Sequence, residues 1–166
     1  KKIFFAFLLF FLAFSVKAYS EIVTKIKVKG NERISTETII IFGDIALGKD
    51  YEIPDVNLLI KKLHETTFFS DISVELENNK LSIVVKENAI INSIIFKGEK
   101  AEKFKEKIRE FLVLREKSSF LENNIKSDIN LIKTFYRAQG FYFIDIDAEI
   151  EKLKKNRVNI VYSIDK

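Results

Sequence analysis

The chain repeats itself, and that repeat is the strongest constraint on its fold. Ile26-Lys27-Val28-Lys29-Gly30 returns as Ile94-Ile95-Phe96-Lys97-Gly98, Leu59-Ile60-Lys61 returns as Leu131-Ile132-Lys133, and Phe69, Ile72 and Val74 return as Phe141, Ile144 and Ile146. The first offset is 68 residues and the later ones are 72, so the second copy holds about four extra residues, which a surface loop absorbs cheaply. A repeat of this length is a small domain rather than one turn of a solenoid. The expected organisation is a leader over residues 1–20, a first domain over 21–88 and a second over 89–166.

The leader is read from its order of residues. Lys1 and Lys2 precede a nearly unbroken apolar run, Ile3 to Val16, followed by Lys17, Ala18, Tyr19 and Ser20. A basic start, a short apolar stretch and small residues at the cut positions describe a cleaved secretory signal, with a mature N-terminus at Glu21 or Tyr19. The apolar run falls short of the roughly 20 residues that a spanning helix needs. Removing Lys1, Lys2 and Lys17 with the leader leaves 25 basic against 24 acidic side chains, a net charge of +1. That balance lacks the clustered positive charge of a nucleic-acid binder. The chain has no cysteine, so an oxidising compartment supplies no disulfides and each small domain depends on its apolar core. With no Met at position 1, and an abrupt end after a strand-like run, the sequence reads as a segment of a longer product.

Within the first copy, Ile22 to Lys29 reads as a strand with Ile22, Thr24, Ile26 and Val28 on one face. Ser35 caps a short helix, with Glu37 in its first turn and Gly43 at its end. Asp55 is placed to cap a second helix whose stripe is Val56, Leu59, Ile60 and Leu63. Ile72, Val74 and Leu76 alternate with Ser73, Glu75 and Glu77, and Asn78-Asn79 makes a two-residue turn into Leu81, Ile83 and Val85. The second copy repeats the order. Ile91 to Lys97 is a strand and Ala101 to Leu114 a helix. Ser118 or Ser119 caps another helix that buries Leu121, Ile125, Leu131, Ile132 and Phe135 and ends at Gly140. Tyr142, Ile144, Ile146 and Ala148 then form a hairpin with Val158, Ile160, Tyr162 and Ile164. Only Glu87-Asn88-Ala89 joins the copies, too short a link for free tumbling.

Each copy is therefore an α+β unit, β-α-α-β-β, with a three-stranded mixed sheet covered on one face by two helices. Such a sheet leaves edge strands with unpaired N–H and C=O groups. The candidate binding residues lie on the edges expected over Asp71–Glu77 and Tyr142–Glu151: Ile72, Ser73, Val74, Glu75 and Leu76, and Phe143, Ile144, Asp145, Ile146 and Asp147. An extended partner adds to such an edge through main-chain hydrogen bonds. Phe68, Phe69 and Phe141 are assigned to the core and Phe143 to the wet face. Catalysis finds no support: His64, the one histidine, lies on a helix without a recognisable nucleophile partner. Asp145, Asp147 and Glu149 share one strand face about 7 Å apart but lack a calcium-type loop. Gly30 and Gly98 are isolated turn glycines, not a phosphate cradle. No catalytic residue, metal, cofactor, small-molecule substrate or nucleic acid is assigned.

The ordered motifs resemble the POTRA (polypeptide-transport-associated) domain family, as found at the start of outer-membrane protein assembly factors of the BamA type. The resemblance rests on Gly30-Asn31-Glu32-Arg33-Ile34, Thr67-Phe68-Phe69-Ser70-Asp71-Ile72 and Val85-Lys86-Glu87 in the first copy. In the second it rests on Ile94-Ile95-Phe96-Lys97-Gly98-Glu99-Lys100, Phe135-Tyr136-Arg137-Ala138-Gln139-Gly140-Phe141-Tyr142 and Asn156-Arg157-Val158. It implies a periplasmic scaffold at the outer membrane that binds unfolded outer-membrane proteins, periplasmic chaperones and assembly-complex lipoproteins. It also implies contact with the membrane through a barrel that is not in this chain. The related alternatives are the POTRA region of a translocation or two-partner secretion transporter, and an FtsQ-like division scaffold anchored in the inner membrane.

Overall fold

The computed structural model describes residues 21–166, so the leader assigned to residues 1–20 lies outside the described residues. The first unit runs β1 (Glu21–Ile22), β2 (Lys25–Lys29), α1 (Thr36–Gly43), β3 (Asp50–Tyr51), α2 (Ile53–Glu65), β4 (Phe69–Glu77) and β5 (Lys80–Glu87). The second runs β6 (Ile90–Lys97), α3 (Glu102–Phe111), α4 (Asn124–Ala138), β7 (Asp145–Leu153) and β8 (Arg157–Asp165). Each main sheet has three strands, in the orders β2-β5-β4 and β6-β8-β7. The first and middle strands are parallel, and the last is antiparallel to the middle. This is the expected mixed sheet, twice.

Alternation builds the sheets. Ile72, Leu81, Ile83 and Val85 are buried with Leu59 and Leu63 of α2 in one apolar cluster. Ile94, Phe96, Ile146, Val158, Ile160, Tyr162 and Ile164 are buried with Ile108, Ile132 and Tyr136 in a second. Asn78 and Asn79 both adopt positive φ, 52° and 59°, the conformation that a two-residue hairpin needs, and Glu77 pairs with Lys80 across it. Ser35 caps α1 by accepting from the Thr38 N–H at 3.1 Å.

Several local expectations change. The first strand is broken: Val23 is fully buried while Ile22 is 54% exposed, the reverse of a continuous strand's alternation. Val23 instead exchanges backbone hydrogen bonds with Lys49 (3.0 Å) and Gly48 (2.7 Å), which draws β1 onto β3. Asp55 is not the N-cap of α2. Glu52 is, and Asp55 reaches back as the third helical residue to accept from the Glu52 N–H at 3.1 Å, closing a capping box. Ser118 and Ser119 do not cap α4, which begins at Asn124. Residues 117–120 run alongside the start of β6 instead, with Lys117 N–H bonded to Ile91 O (2.7 Å) and Phe120 N–H to Ala89 O (2.7 Å).

The internal repeat is also displaced. Gly30 sits against the carbonyl of Val85 and Gly98 against that of Ile164, so these two carbonyl residues are counterparts. Val85 pairs with Ile72 and Ile164 with Ile146. Ile72 therefore corresponds to Ile146, not to Ile144. In the helices, Leu59 and Leu63 are buried where Ile132 and Tyr136 are, while Leu131 is 36% exposed, which shifts the Leu-Ile-Lys match by one residue.

The link is pinned on both sides. Asn88 donates from its N–H to Phe68 O (2.8 Å) and from Nδ2 to Thr67 O (2.8 Å). Asn156 Nδ2 donates to Glu87 O at 3.1 Å.

Candidate functional site

Both candidate edges are the last strands of their sheets, and their backbone direction follows from the hydrogen-bond pattern. In the first sheet, Lys25 N–H donates to Asn79 O (3.3 Å). In a parallel ladder this turns Leu81, Ile83 and Val85 toward β2, and Lys80, Ser82, Val84 and Lys86 toward β4. Their partners Glu77, Glu75, Ser73 and Asp71 spend their backbone groups on β5. The N–H and C=O groups of Ile72, Val74 and Leu76 therefore point away from the sheet. In the second sheet, Ile90 N–H donates to Asn156 O (3.0 Å), and the same reasoning leaves Ile146, Ala148 and Ile150 of β7 pointing outward.

At these positions side chain and backbone face different ways. Ile72 and Ile146 are buried and Val74, Leu76, Ala148 and Ile150 half-buried, whereas Ser73, Glu75, Asp145 and Asp147 are exposed on the opposite sheet face. Two expected members of the edge are not on it. Phe143 and Ile144 precede β7, which starts at Asp145 with its pairing to Asp165. Phe143 is 95% and Tyr142 73% exposed. Phe69 is buried as expected and Phe68 half-buried, but Phe141 is 37% exposed. The β4 edge also starts irregularly, with Ser70 bulged out between Phe69 and Asp71.

Sequence reading missed three buried carboxylates that hold each sheet to its loops. Asp128 of α4 is fully buried and accepts from Val113 N–H (2.7 Å), Leu114 N–H (3.2 Å) and Tyr162 OH (3.0 Å). It ties the corner after α3 to the central strand. Burial, with the charge and hydrogen bond of Asp128, drives the Tyr162 hydroxyl pKa upward. Glu87, at the end of β5, accepts from the N–H groups of Glu32, Arg33 and Ile34 (2.9, 2.9 and 2.8 Å) and lies 3.5 Å from the Arg33 guanidinium. Burial alone would raise its pKa, but these hydrogen bonds and the Arg33 charge outweigh it and hold the carboxyl below its usual range.

Counting from Val85 and Ile164, the counterpart of Glu87 in the second unit is Lys166, and there the charges are exchanged. Lys166 donates to Glu99 Oε2, as does Tyr136 OH, and Ala101 N–H donates to Glu99 Oε1 at 2.7 Å. The Lys166 ammonium lies 4.9–5.7 Å from the ring centres of Phe104, Tyr136 and Phe141. Burial would raise the Glu99 pKa, but the bonds from Lys166, Tyr136 and Ala101 and the Lys166 charge lower it to about 2. Nothing in the residues beside these carboxylates marked them for burial, because partners such as Glu32 to Ile34, Val113 and Lys166 come from distant segments. His64 is exposed, and the described residues contain no group of three or more His, Cys, Asp or Glu placed to hold a metal.

Residues 89–166 match the family model for POTRA, described as a surface antigen variable number repeat. The chain is 24% identical over 146 residues to the outer membrane protein assembly factor BamA of Neorickettsia risticii, covering 88% of this chain and 20% of that protein. It is 28% identical over 143 residues to BamA of Neisseria meningitidis serogroup B, covering 84% of this chain and 18% of that one. It thus spans about a fifth of the length of these relatives. Its fold is similar to the N-terminal domain of Omp85 from Thermosynechococcus elongatus, with a TM-score of 0.57 at 13% identity, covering 88% of this chain and 63% of that one. It is also similar to POTRA1-2 of the periplasmic domain of Omp85 from Anabaena, with a TM-score of 0.51 at 12% identity, covering 89% of this chain and 97% of that one.

Proposed function

We propose that this chain, whose residues 89–166 match the POTRA family and whose first unit repeats the same fold, is a periplasmic arm of a BamA-type outer-membrane protein assembly factor. In this reading it receives unfolded outer-membrane proteins by strand addition and presents surfaces to periplasmic chaperones and assembly lipoproteins. The barrel to which it belongs lies outside this chain. The reading is carried by one observation: each unit ends its sheet on a strand, β4 or β7, whose alternate backbone groups point outward. A client strand would complete the ladder there through main-chain bonds that are largely indifferent to sequence. The names of the relatives support the pathway in which those edges would serve.

Ordering an unfolded partner on few contacts is costly, so affinity is expected on the order of 10 µM to 1 mM. The test is an NMR titration of residues 21–166, which carry both apolar cores found among the described residues, with peptides from outer-membrane β-strands. Shifts should concentrate at Ile72, Val74, Leu76, Ile146, Ala148 and Ile150. Val74→Pro and Ile150→Pro each delete one outward donor without touching the internal ladder. Each should weaken binding at its own edge, while Ser73→Thr should not. Shifts confined to helix surfaces and insensitive to both prolines would overturn strand addition.

A further inference from the structure

We infer that β4 and β7 select their partner by charge, taking extended segments with Lys or Arg at every second residue and apolar residues between. The inference rests on the strand-addition reading and specifies the chemistry of its ligand. The first sheet has edges of opposite sign. On its outer face, β2 presents Lys25 and Lys29 exposed with Lys27 between them, and β4 presents Asp71, Glu75 and Glu77, all exposed. The second sheet repeats the acidic edge, with Asp145, Asp147 and Glu149 exposed along β7.

Within the fold these acids are matched only in part. Asp145 meets Lys133 at 3.3 Å, but Asp71, Glu75, Glu77, Asp147 and Glu149 form none of the ion pairs found among the described residues. On the middle strands Glu75 lies opposite Ser82, Asp147 opposite Ser163 and Glu149 opposite Val161, with no charge to meet them, while Asp71 and Glu77 lie opposite Lys86 and Lys80. A strand added beyond β4 or β7 would place its own outer side chains about 5 Å from these carboxylates, the distance at which cross-strand charge pairs act. Its other side chains would continue the rows of Ile72, Val74 and Leu76, or Ile146, Ala148 and Ile150, toward the helix side. The chain itself contains this pattern in β2, Lys25-Ile26-Lys27-Val28-Lys29, which β5 keeps apart from β4.

The experiment uses residues 21–166 and nine-residue peptides that alternate valine or tyrosine with lysine, serine or glutamate. A scrambled peptide of the lysine composition, without alternation, is the fourth probe. At low salt, NMR titration should show the lysine peptide binding at the two edges about 5–10-fold more tightly than the serine peptide, and the glutamate peptide weakest. The order should compress in 0.5 M salt, where screening acts over a few ångström. The paired substitutions Glu75→Gln with Glu77→Gln, and Asp147→Asn with Glu149→Gln, should each level the series at their own edge. Equal edge affinity for the lysine, serine and glutamate peptides would overturn charge selection and leave strand addition standing. Equal binding by the scrambled peptide would also overturn the proposal, reducing it to diffuse attraction. If no peptide perturbs either edge, the strand-addition reading fails and this inference with it.

Discussion

Asp128 is the side chain whose loss should cost the second unit most for the least change in volume. Asp128→Ala removes the acceptor for Val113 N–H, Leu114 N–H and Tyr162 OH at once. Leu114 and Tyr162 are 2% and 0% exposed, so water reaches neither donor without opening the core. Hydrogen bonds to a charged acceptor are each worth about 1.5–3 kcal/mol, and a buried donor left unmet costs about 1–3 kcal/mol. The variant also escapes the cost of burying a carboxylate, and the corner at residues 112–114 can relax, so the sum is not additive. A net loss of about 3–5 kcal/mol is expected, comparable with breaking a buried charged network and a large share of the stability of so small a unit. Tyr162→Phe removes one of the three bonds and should cost about 1.5–3 kcal/mol. Asp128→Asn should fall between, because its amide keeps one acceptor oxygen but turns an NH2 group toward a donor. Urea unfolding followed by resolved amide resonances separates the units. Those of β6–β8 should melt early while those of β2, β4 and β5 keep their midpoint. An Asp128→Ala protein within about 1 kcal/mol of the parent would refute the argument that this carboxylate holds the α3 corner to the sheet.

Gly98→Ala should destabilise the second unit, and Gly30→Ala the first, by at least about 2 kcal/mol in urea melts. A Cβ at either position would lie 2.0 Å from a backbone carbonyl oxygen, at φ of +84° or +81°; Gly48→Ala, with open space around it, should cost only about 1 kcal/mol. The lowered pKa of Glu99, about 2 against an ordinary 4.5, makes the second unit acid-sensitive. The stabilisation, about 3 kcal/mol, is complete above pH 4.5 and is lost as pH falls from there toward 2, so Glu99→Gln should flatten the acid limb of the stability–pH curve. Ile146→Asp should unfold the second unit, at a cost of several kcal/mol, and Ile144→Asp should cost clearly less. Ser73→Asp and Asp145→Ser should stay within about 0.5 kcal/mol, and equal costs for Ile146 and Ile144 would contradict the register found for β7.

What the sequence determined by itself was everything carried by a short period. The alternation of Ile72, Val74 and Leu76, the Asn78-Asn79 turn and the answering Leu81, Ile83 and Val85 form one hairpin because each choice is local and all agree. The duplication of that pattern, with helical stripes before it, was enough to specify two mixed sheets. Register was not legible. A strand repeats every two residues, so sliding β7 by two leaves the same side chains facing the core, and Ile144 matches Ile72 as well as Ile146 does. Only the pairing of Ile146 with Ile164, set by the carbonyl that covers Gly98, decides between them. In α4 the face was decided by what it packs on, so Leu131 turned outward and Asp128 inward, against the simple rule that a carboxylate belongs in water. Asp128, Glu87 and Glu99 are buried because their partners, Val113 and Leu114, Glu32 to Ile34, and Lys166, come from 14 to 67 residues away. A donor that distant leaves no mark on the residues beside the acceptor. It exists only once the sheet has closed against its loops, and so it belongs to the tertiary structure alone.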